Sequence, residues 1–285
     1  KYVQDMLNTL AVEIAIKSAL AFADYGDQLD ALLDMIFQYK EIRVVDQRVQ
    51  GLFFDVLKQV FANRVGQYTT PGLDDTNIDK LALLLLNASE STLLNTAQQT
   101  VTESWGIIVT FEQMTLNALK LTYPAQLSNA LRILRSAPGK TFDSVTYNLF
   151  FSLIRGIFDN RSPADAAAIE TLKQALTLAA SSPLLSFEQQ QQIKTTMLPA
   201  LGVSVAASPF EQNMNIILQT PDAQSRITQL AQLINQMRGQ RIDPQAQTAL
   251  MSLLQQLIGS LNLEDAVIKD LVTRLLSLLQ TGTLL

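Results

Sequence analysis

The chain has 285 residues, and its 21 basic and 26 acidic residues give a net charge of −5. Only 16% of the residues are charged, and the basic ones form no patch of the kind that nucleic-acid binders carry. The sequence contains no histidine and no cysteine, which removes thiolate nucleophiles, histidine bases and the usual zinc ligands. We therefore expect a protein that is not an enzyme, carries no cofactor or metal ion and binds no nucleic acid.

The N-terminal segment, residues 1–26, leads into an acidic ladder at helical spacing, formed by Asp24, Asp27, Asp30 and Asp34. Four carboxylates on one face could bind calcium, but calcium loops pack their ligands around a tight turn with a glycine. Here the ladder runs directly into a predicted helix. We interpret it as a capping and solvated face rather than a metal site.

The next predicted helix covers about 46–63, where apolar residues recur three and four positions apart. Asp46 stands where a capping side chain accepts hydrogen bonds from the first turn. Further along, Leu81–Leu86 is the longest purely apolar run, far below the roughly 18 residues of a membrane span. Trp105 and Tyr123 follow, and we interpret them as packing anchors rather than a binding pocket.

A segment of 13 residues recurs along the chain. Residues 52–64 align without a gap with residues 149–161, and 250–258 keep the apolar positions without the aromatic ones. An aspartate precedes each copy, six residues before Leu52 and Leu149 and seven before Leu250: Asp46, Asp143 and Asp243. The recurrence predicts an all-α chain of tandem helical repeats of about 97 residues, arranged as a solenoid or as an array of helical bundles.

The repeat boundaries recur as well. Tyr123-Pro124 and Thr220-Pro221 each end one predicted helix and begin the next, and Gly26-Asp27-Gln28 holds the equivalent place earlier. A glutamate precedes each of the three: Glu13, Glu112 and Glu211. These positions predict repeats at 27–123, 124–220 and 221–285. Residues 1–26 would be the tail of a preceding copy, and the third copy would be cut short. Within the second repeat, Ser162-Pro163 predicts the start of a helix at about 163–180.

Two sequons, Asn87-Ala88-Ser89 and Asn160-Arg161-Ser162, fall at predicted helix ends or turns, where N-glycosylation is sterically feasible. They favour a secreted or cell-surface protein.

The segments 124–131 and 242–250 both begin around a proline and polar residues and continue into short leucine-containing helices. In this they resemble the helical, membrane-proximal ectodomain repeats of polycystin-1-like and adhesion-receptor-like surface proteins. The cysteine-bearing β-sandwich and the cleavage motif of those receptors are absent from this sequence. The resemblance implies a helical spacer outside the cell with surfaces that bind partners.

Taken with the repeats, these features predict a non-catalytic structural or interaction segment of a secreted or cell-surface protein, which binds protein partners or itself. An alternative is a carrier of lipid or another hydrophobic ligand, with an apolar cavity between helices. The phenylalanines at 53, 54, 61, 150, 151 and 158 would line such a cavity, but we expect them to form the core.

Overall fold

The computed structural model describes residues 2–39, 42, 46–67, 75–204 and 209–236, and every regular element in these ranges is helical. The predicted all-α class is therefore confirmed. In chain order the elements are α1 (Tyr2–Leu20), α2 (Tyr25–Tyr39), α3 (Gln47–Gln67), α4 (Asp75–Ser89), α5 (Thr96–Leu119), α6 (Tyr123–Ser136), α7 (Ser144–Asp159), α8 (Ala166–Ala179), α9 (Phe187–Gln192), a π-helical turn (Ile193–Met197), α10 (Leu198–Ala200), α11 (Pro209–Gln219) and α12 (Ala223–Gln236). Most of the third predicted copy, including Asp243 and the segment 250–258, lies outside the described residues.

The chain divides into two compact units. One consists of Lys1–Asn129 and Thr141–Leu153, the other of Ala130–Lys140 and Ile154–Leu285. In the first unit α2 packs against α1 and α4, and α4 packs along α5. In the second unit α8 packs against the π-helical turn and α10, and α11 packs against α12.

Helix α2 illustrates how spacing produces the core of the first unit. Leu29, Leu32, Leu33 and Ile36 lie on one face, at positions three and four apart, and are buried. Each such side chain contributes about 2 kcal/mol when it leaves water. The hydroxyl of Tyr25 at the start of the helix donates to the carbonyl oxygen of Val60 at 2.8 Å, which ties α2 to α3.

Helices α3 and α5 meet at Trp105. Its indole ring stacks on Phe54 and on Phe61, with 5.2 Å between ring centroids in both cases. Such pairs stabilise by about 1 kcal/mol beyond their buried area. The predicted role of Trp105 as a packing anchor is confirmed.

Helices α4 and α5 approach closely at Gly106. A Cβ atom at this position would lie 3.0 Å from Cδ2 and 3.4 Å from the backbone nitrogen of Leu86. The absence of a side chain is therefore a packing requirement here, although glycine is unfavourable inside a helix.

The predicted aspartate caps are confirmed at both described positions. Asp46 accepts from the backbone nitrogen of Arg48 at 2.8 Å, and Asp143 accepts from that of Thr146 at 3.0 Å. The prediction for 163–180 was wrong at its start. Helix α8 begins at Ala166, because Asp165 accepts from the backbone nitrogen of Ala168 and acts as the cap, whereas Pro163 lies in the preceding turn.

Of the six phenylalanines that we expected in the core, two are fully buried and four are half-buried. Phe53 and Phe150 have no exposed surface, whereas Phe54, Phe61, Phe151 and Phe158 are half-buried. Gly139 lies in a turn with φ of +75°, a conformation that favours glycine.

Candidate functional site

A buried ion network joins three elements of the first unit. The guanidinium of Arg64, near the end of α3, donates through Nε to Glu112 Oε2 at 2.9 Å and through Nη2 to Glu112 Oε1 at 3.1 Å. The same Nη2 donates to Asp143, the residue that caps α7. Thr146 Oγ1 lies within hydrogen-bonding distance of both carboxylates, 3.0 Å from Glu112 and 3.1 Å from Asp143. The network therefore ties α3, α5 and the start of α7 together.

Phe61 fixes the orientation of the Arg64 side chain. The guanidinium carbon lies 3.8 Å from the centre of the Phe61 ring, and Nη1 donates to the Phe61 carbonyl oxygen at 3.0 Å. A planar, delocalised cation suits this arrangement because it can stack on a ring and bind a carboxylate with two parallel bonds. Phe61 therefore orients the Arg64 side chain independently of the two carboxylates.

The electrostatics keep the network charged. Burial by itself would lower the pKa of Arg64, but the hydrogen bonds and negative charges of Glu112 and Asp143 outweigh it and raise that pKa above its ordinary value. Burial, and then the charge of Asp143, raises the pKa of the nearby Tyr147. Burial also raises the pKa of Tyr25, so both phenols stay neutral.

This geometry is suited to holding helices rather than to chemistry. The Glu112 side chain has no exposed surface, and both of its oxygens accept hydrogen bonds. An acid or base catalyst needs a carboxyl group that reaches a substrate and exchanges a proton near the working pH. Glu112 is shielded from solvent and paired with a permanent cation, so we assign it a structural role.

Glu13 on α1 forms a second, more open cluster. Arg48 donates to its two oxygens at 2.9 Å and 2.5 Å, and Lys17 lies 2.8 Å away. The hydrogen bonds from Arg48, and then from Lys17, lower the pKa of Glu13 from its ordinary 4.5 to about 2. The carboxylate is therefore ionised throughout the physiological range.

An open groove runs along α1 beside this cluster. It has a volume of about 710 Å³ and is lined by the apolar side chains of Val3, Met6, Leu7 and Leu10, with Arg48 among the charged residues at its border. These four apolar side chains are all more than half exposed. A contiguous apolar stripe of this kind marks an interaction surface more often than a solvated one.

The two sequon asparagines differ in their surroundings. Asn160 is exposed in the turn after α7, and its side-chain nitrogen donates to the carbonyl oxygen of Gly156 at 2.9 Å. Asn87 is half-buried within the last turn of α4 and donates to Leu83 at 2.8 Å. A glycosyltransferase would reach Asn160 more readily.

The residues of the acidic ladder have separate roles. Asp24 accepts from the backbone nitrogen of Asp27 at 3.1 Å and caps α2, while Asp30 pairs with Lys80 of α4 at 2.6 Å. Across the described ranges, histidine, cysteine and acidic residues form no group of three that could hold a metal ion.

A recurring capping device escaped the sequence analysis. Residues 91–99 read Ser-Thr-Leu-Leu-Asn-Thr-Ala-Gln-Gln, and residues 182–190 read Ser-Pro-Leu-Leu-Ser-Phe-Glu-Gln-Gln. The shared pattern of serine, two leucines, a capping residue and two glutamines was the available signal. It was missed because the two copies lie 91 residues apart, whereas the phenylalanine segments lie 97 apart. Helix α7 is five residues shorter than α3, and the connection that follows it is one residue shorter.

The device forms the same hydrogen bonds in both places. The first serine accepts from the backbone nitrogen two residues on, at 3.3 Å for Ser91 and 3.2 Å for Ser182. The capping residue and the first glutamine form a reciprocal capping box at the start of α5 and again at the start of α9. The second glutamine donates back to the carbonyl oxygen of the first serine, at 2.7 Å from Gln99 and 2.9 Å from Gln190.

Comparison with protein-family models, curated proteins and solved structures yields no match. The resemblance to surface-receptor ectodomains therefore stays a hypothesis. Among the helices of the described ranges, none has the length and apolar character needed to cross a bilayer.

Proposed function

We propose that the chain is a non-catalytic scaffold built from tandem helical repeats of about 97 residues, with the boundaries predicted from the sequence. The observation that carries this proposal is the nine-residue device at 91–99 and 182–190. Both copies bury their two adjacent leucines and direct the next helix with matching hydrogen bonds. Agreement at the level of single hydrogen bonds is a stronger argument for repetition than shared apolar spacing, which any amphipathic helix can show.

A second correspondence links α3 and α7. Phe53 and Phe150 occupy equivalent positions and are both fully buried. Arg161 lies over Phe158 with 3.8 Å from guanidinium carbon to ring centre, the same separation as Arg64 over Phe61. In both pairs the arginine also donates to the carbonyl oxygen of the phenylalanine.

A third correspondence links the starts of α2, α6 and α12. In each, a side chain of the first turn reaches back to a carbonyl oxygen of the preceding segment: Gln28 to Phe22, Gln126 to Leu119 and Arg226 to Thr220. The buried residues then follow in register, at Leu29, Leu127 and Ile227. This extends the correspondence into the third proposed repeat.

Stacking explains why such a chain would serve as a scaffold. A pair of amphipathic helices cannot bury its apolar face alone, and successive copies cover one another to form a continuous core. The sequence supplies neither histidine nor cysteine for catalysis, and the buried carboxylate of Glu112 forms an ion pair with Arg64. Both features favour an interaction or spacer role over an enzymatic one.

We extend the proposal to a secreted or cell-surface location because Asn160 is an exposed sequon asparagine. Production behind a secretory leader in eukaryotic cells tests accessibility. We expect a glycan-sized mass increase that Asn160→Gln removes and Asn87→Gln leaves in place. Native mass spectrometry of the protein from its natural source tests the location itself: an unmodified cytosolic protein would contradict it.

A carrier of lipid or another hydrophobic ligand is the second candidate function, and the groove along α1 is the observation that favours it. The groove is open and bordered by charged residues, whereas ligand sites for small apolar molecules bury most of the ligand surface. Native mass spectrometry separates the two candidates, because a bound lipid would appear as an adduct that organic extraction removes.

Deletion of one repeat tests the scaffold proposal. Removal of residues 124–220 joins α5 directly to Pro221, in place of the natural junction with Pro124. We expect a helical protein that unfolds cooperatively, because Pro221 then follows Tyr123 as Pro124 does in the natural chain. Deletion of 124–165 is the control: it removes α6 and α7, places α8 after α5, and should abolish cooperative unfolding. Equal disruption by both deletions would refute the repeat.

A further inference from the structure

Helix α1 can be aligned with α5 through the face that packs against the rest of the first unit. When Glu13 is aligned with Glu112, Ile16 falls on Thr115, and both residues are fully buried. Each glutamate also reaches the start of a later helix, at Arg48 of α3 and at Thr146 of α7. In this alignment α1 is the last helix of a repeat.

The opposite face is covered on α5 and exposed on α1. On α5 this face is covered: Trp105 stacks between two phenylalanines of α3, Gly106 contacts Leu86 of α4, and Val109 has no exposed surface. The residues of α1 at these three positions are Met6, Leu7 and Leu10, which are 57%, 56% and 52% exposed. The face that α3 and α4 cover on α5 is therefore open on α1.

We infer that this open face of α1 docks a second copy of the chain, which presents residues 243–280 to it in the way that α3 and α4 are presented to α5. The inference rests on the proposed repeat. Residues 243–280 lie outside the described ranges, and their assignment comes from the sequence, in which 250–258 repeats the apolar positions of α3 and Ile268 to Leu271 repeats those of Ile78 to Leu81 in α4.

Correlated replacements favour this occupant over an arbitrary apolar partner. Where α5 carries Trp105, α1 carries Met6. Counted from the aspartates Asp46 and Asp243, the positions of Phe54 and Phe61 are occupied in the third copy by Met251 and Ile258. All three aromatic members of the stack are thus replaced by non-aromatic apolar residues on both sides of the proposed contact, as complementary packing requires.

The charges change in a correlated way as well. The third copy has Leu261 where Arg64 and Arg161 stand, so it offers Glu13 no arginine. Glu13 is already neutralised by Arg48 and Lys17 within its own unit. The proposed contact would therefore bury no unpaired carboxylate.

One position departs from the pattern. Leu7 stands where Gly106 allows α4 to approach α5 closely. The proposed contact must therefore leave more space beside α1 than α4 leaves beside α5. The groove of about 710 Å³ on this face leaves room for the larger side chains on both sides.

Contact between two different surfaces gives head-to-tail association, which closes into a ring or continues as a filament. Sedimentation equilibrium of the full chain across a dilution series is the test. We expect a mass that rises above the 31.5 kDa of one chain with concentration. Leu10→Glu should weaken this association about tenfold or more, because it places a charge in an apolar contact. Phe37→Glu on α2, which changes an equally exposed side chain, should leave it unaltered.

Mixing experiments identify the partner segment. Leu10→Glu and Met251→Glu each remove one side of the contact, so each variant alone should stay monomeric, and a mixture should form dimers through the one intact pair of surfaces. A chain that is monomeric at all concentrations, association that Leu10→Glu does not weaken, or a lipid adduct in place of the second copy would overturn the inference. The repeat-deletion variant separates the two proposals: if it folds and the full chain does not associate, the docking inference fails and the repeat stands.

Discussion

Glu112 and Arg64 show how single residues can bind distant segments of a helical chain. Their side chains are 0% and 3% exposed, and they join α5 to α3 across 48 positions of sequence. A buried ion pair is stable only when the remaining hydrogen-bonding groups of both side chains also have partners. Here Asp143 and the Phe61 carbonyl accept from Arg64, and Thr146 bonds to Glu112. Removal of one partner of this buried network should therefore lower the free energy of unfolding far more than removal of an exposed ion pair.

Glu112→Gln tests the buried network. We expect the free energy of unfolding to fall by about 3 kcal/mol, because the Arg64 charge loses its principal counter-charge in a buried site. Arg155→Gln is the matched control, since Arg155 and Asp159 form an exposed pair at 3.6 Å and such pairs contribute about 0–1 kcal/mol. Urea unfolding of the three proteins gives the values, and equal losses in the two variants would show that the network does not stabilise the fold.

Glu13 gives a prediction for pH. Its pKa is lowered to about 2 in the folded protein, from an ordinary 4.5, so its ionised form is stabilised by folding. That stability is fully present above about pH 4.5 and is lost as the pH falls towards 2. Wild-type protein should therefore be more stable than Glu13→Gln at pH 6, and the difference should shrink across this window. Glu103→Gln, at an exposed position of α5, is the control. A difference that does not change with pH would contradict the assignment.

At the scale of elements, the capping device predicts equal behaviour in two separate places. Gln99→Ala and Gln190→Ala each remove a side chain that donates to the carbonyl oxygen of a turn, at Ser91 and at Ser182. We expect each to lower the free energy of unfolding by about 1 kcal/mol. Gln59→Ala on α3 and Gln192→Ala on α9 change exposed glutamines and should have effects within about 0.5 kcal/mol. A large loss at one site and none at the other would contradict the equivalence.

The close approach of α4 and α5 gives the second element-scale prediction. Gly106→Val should destabilise by about 1–3 kcal/mol, because the added carbons meet Leu86 and the helices must move apart. At Gly156 in α7 a Cβ would meet no atom within 4 Å, so Gly156→Val should change stability by less than about 0.5 kcal/mol. Thermal unfolding followed by circular dichroism compares the two, and tolerance of Gly106→Val would show that the approach is not tight.

Helix α3 could be predicted because its apolar residues follow the helical period. The start of α8 was misplaced because Ser162-Pro163 is a plausible helix start, and only the fold shows that Asp165 provides the cap. The ion network could not be predicted. A glutamate such as Glu112 on an apolar helix is interpreted from sequence as a surface residue, and its partner Arg64 is distant in the chain. The open face of α1 was missed for a related reason, since exposure depends on which helices cover it.

For the whole molecule, we propose a modular scaffold of helical repeats. Stability in such an array is the sum of terms within repeats and between neighbours, so it changes in steps as copies are added or removed. In a single domain with one shared core, an inserted copy would find no matching apolar face to pack against, so it would not add to the cooperative unfolding of the rest.

The most direct test of this claim is urea unfolding of three chains: the natural one, one without residues 124–220, and one with 124–220 duplicated in tandem. We expect cooperative unfolding in all three chains. The dependence of the unfolding free energy on urea should rise by a similar increment with each added copy, because each buries a similar area. Aggregation of the lengthened chain, or a separate low-stability transition for the inserted copy, would contradict it.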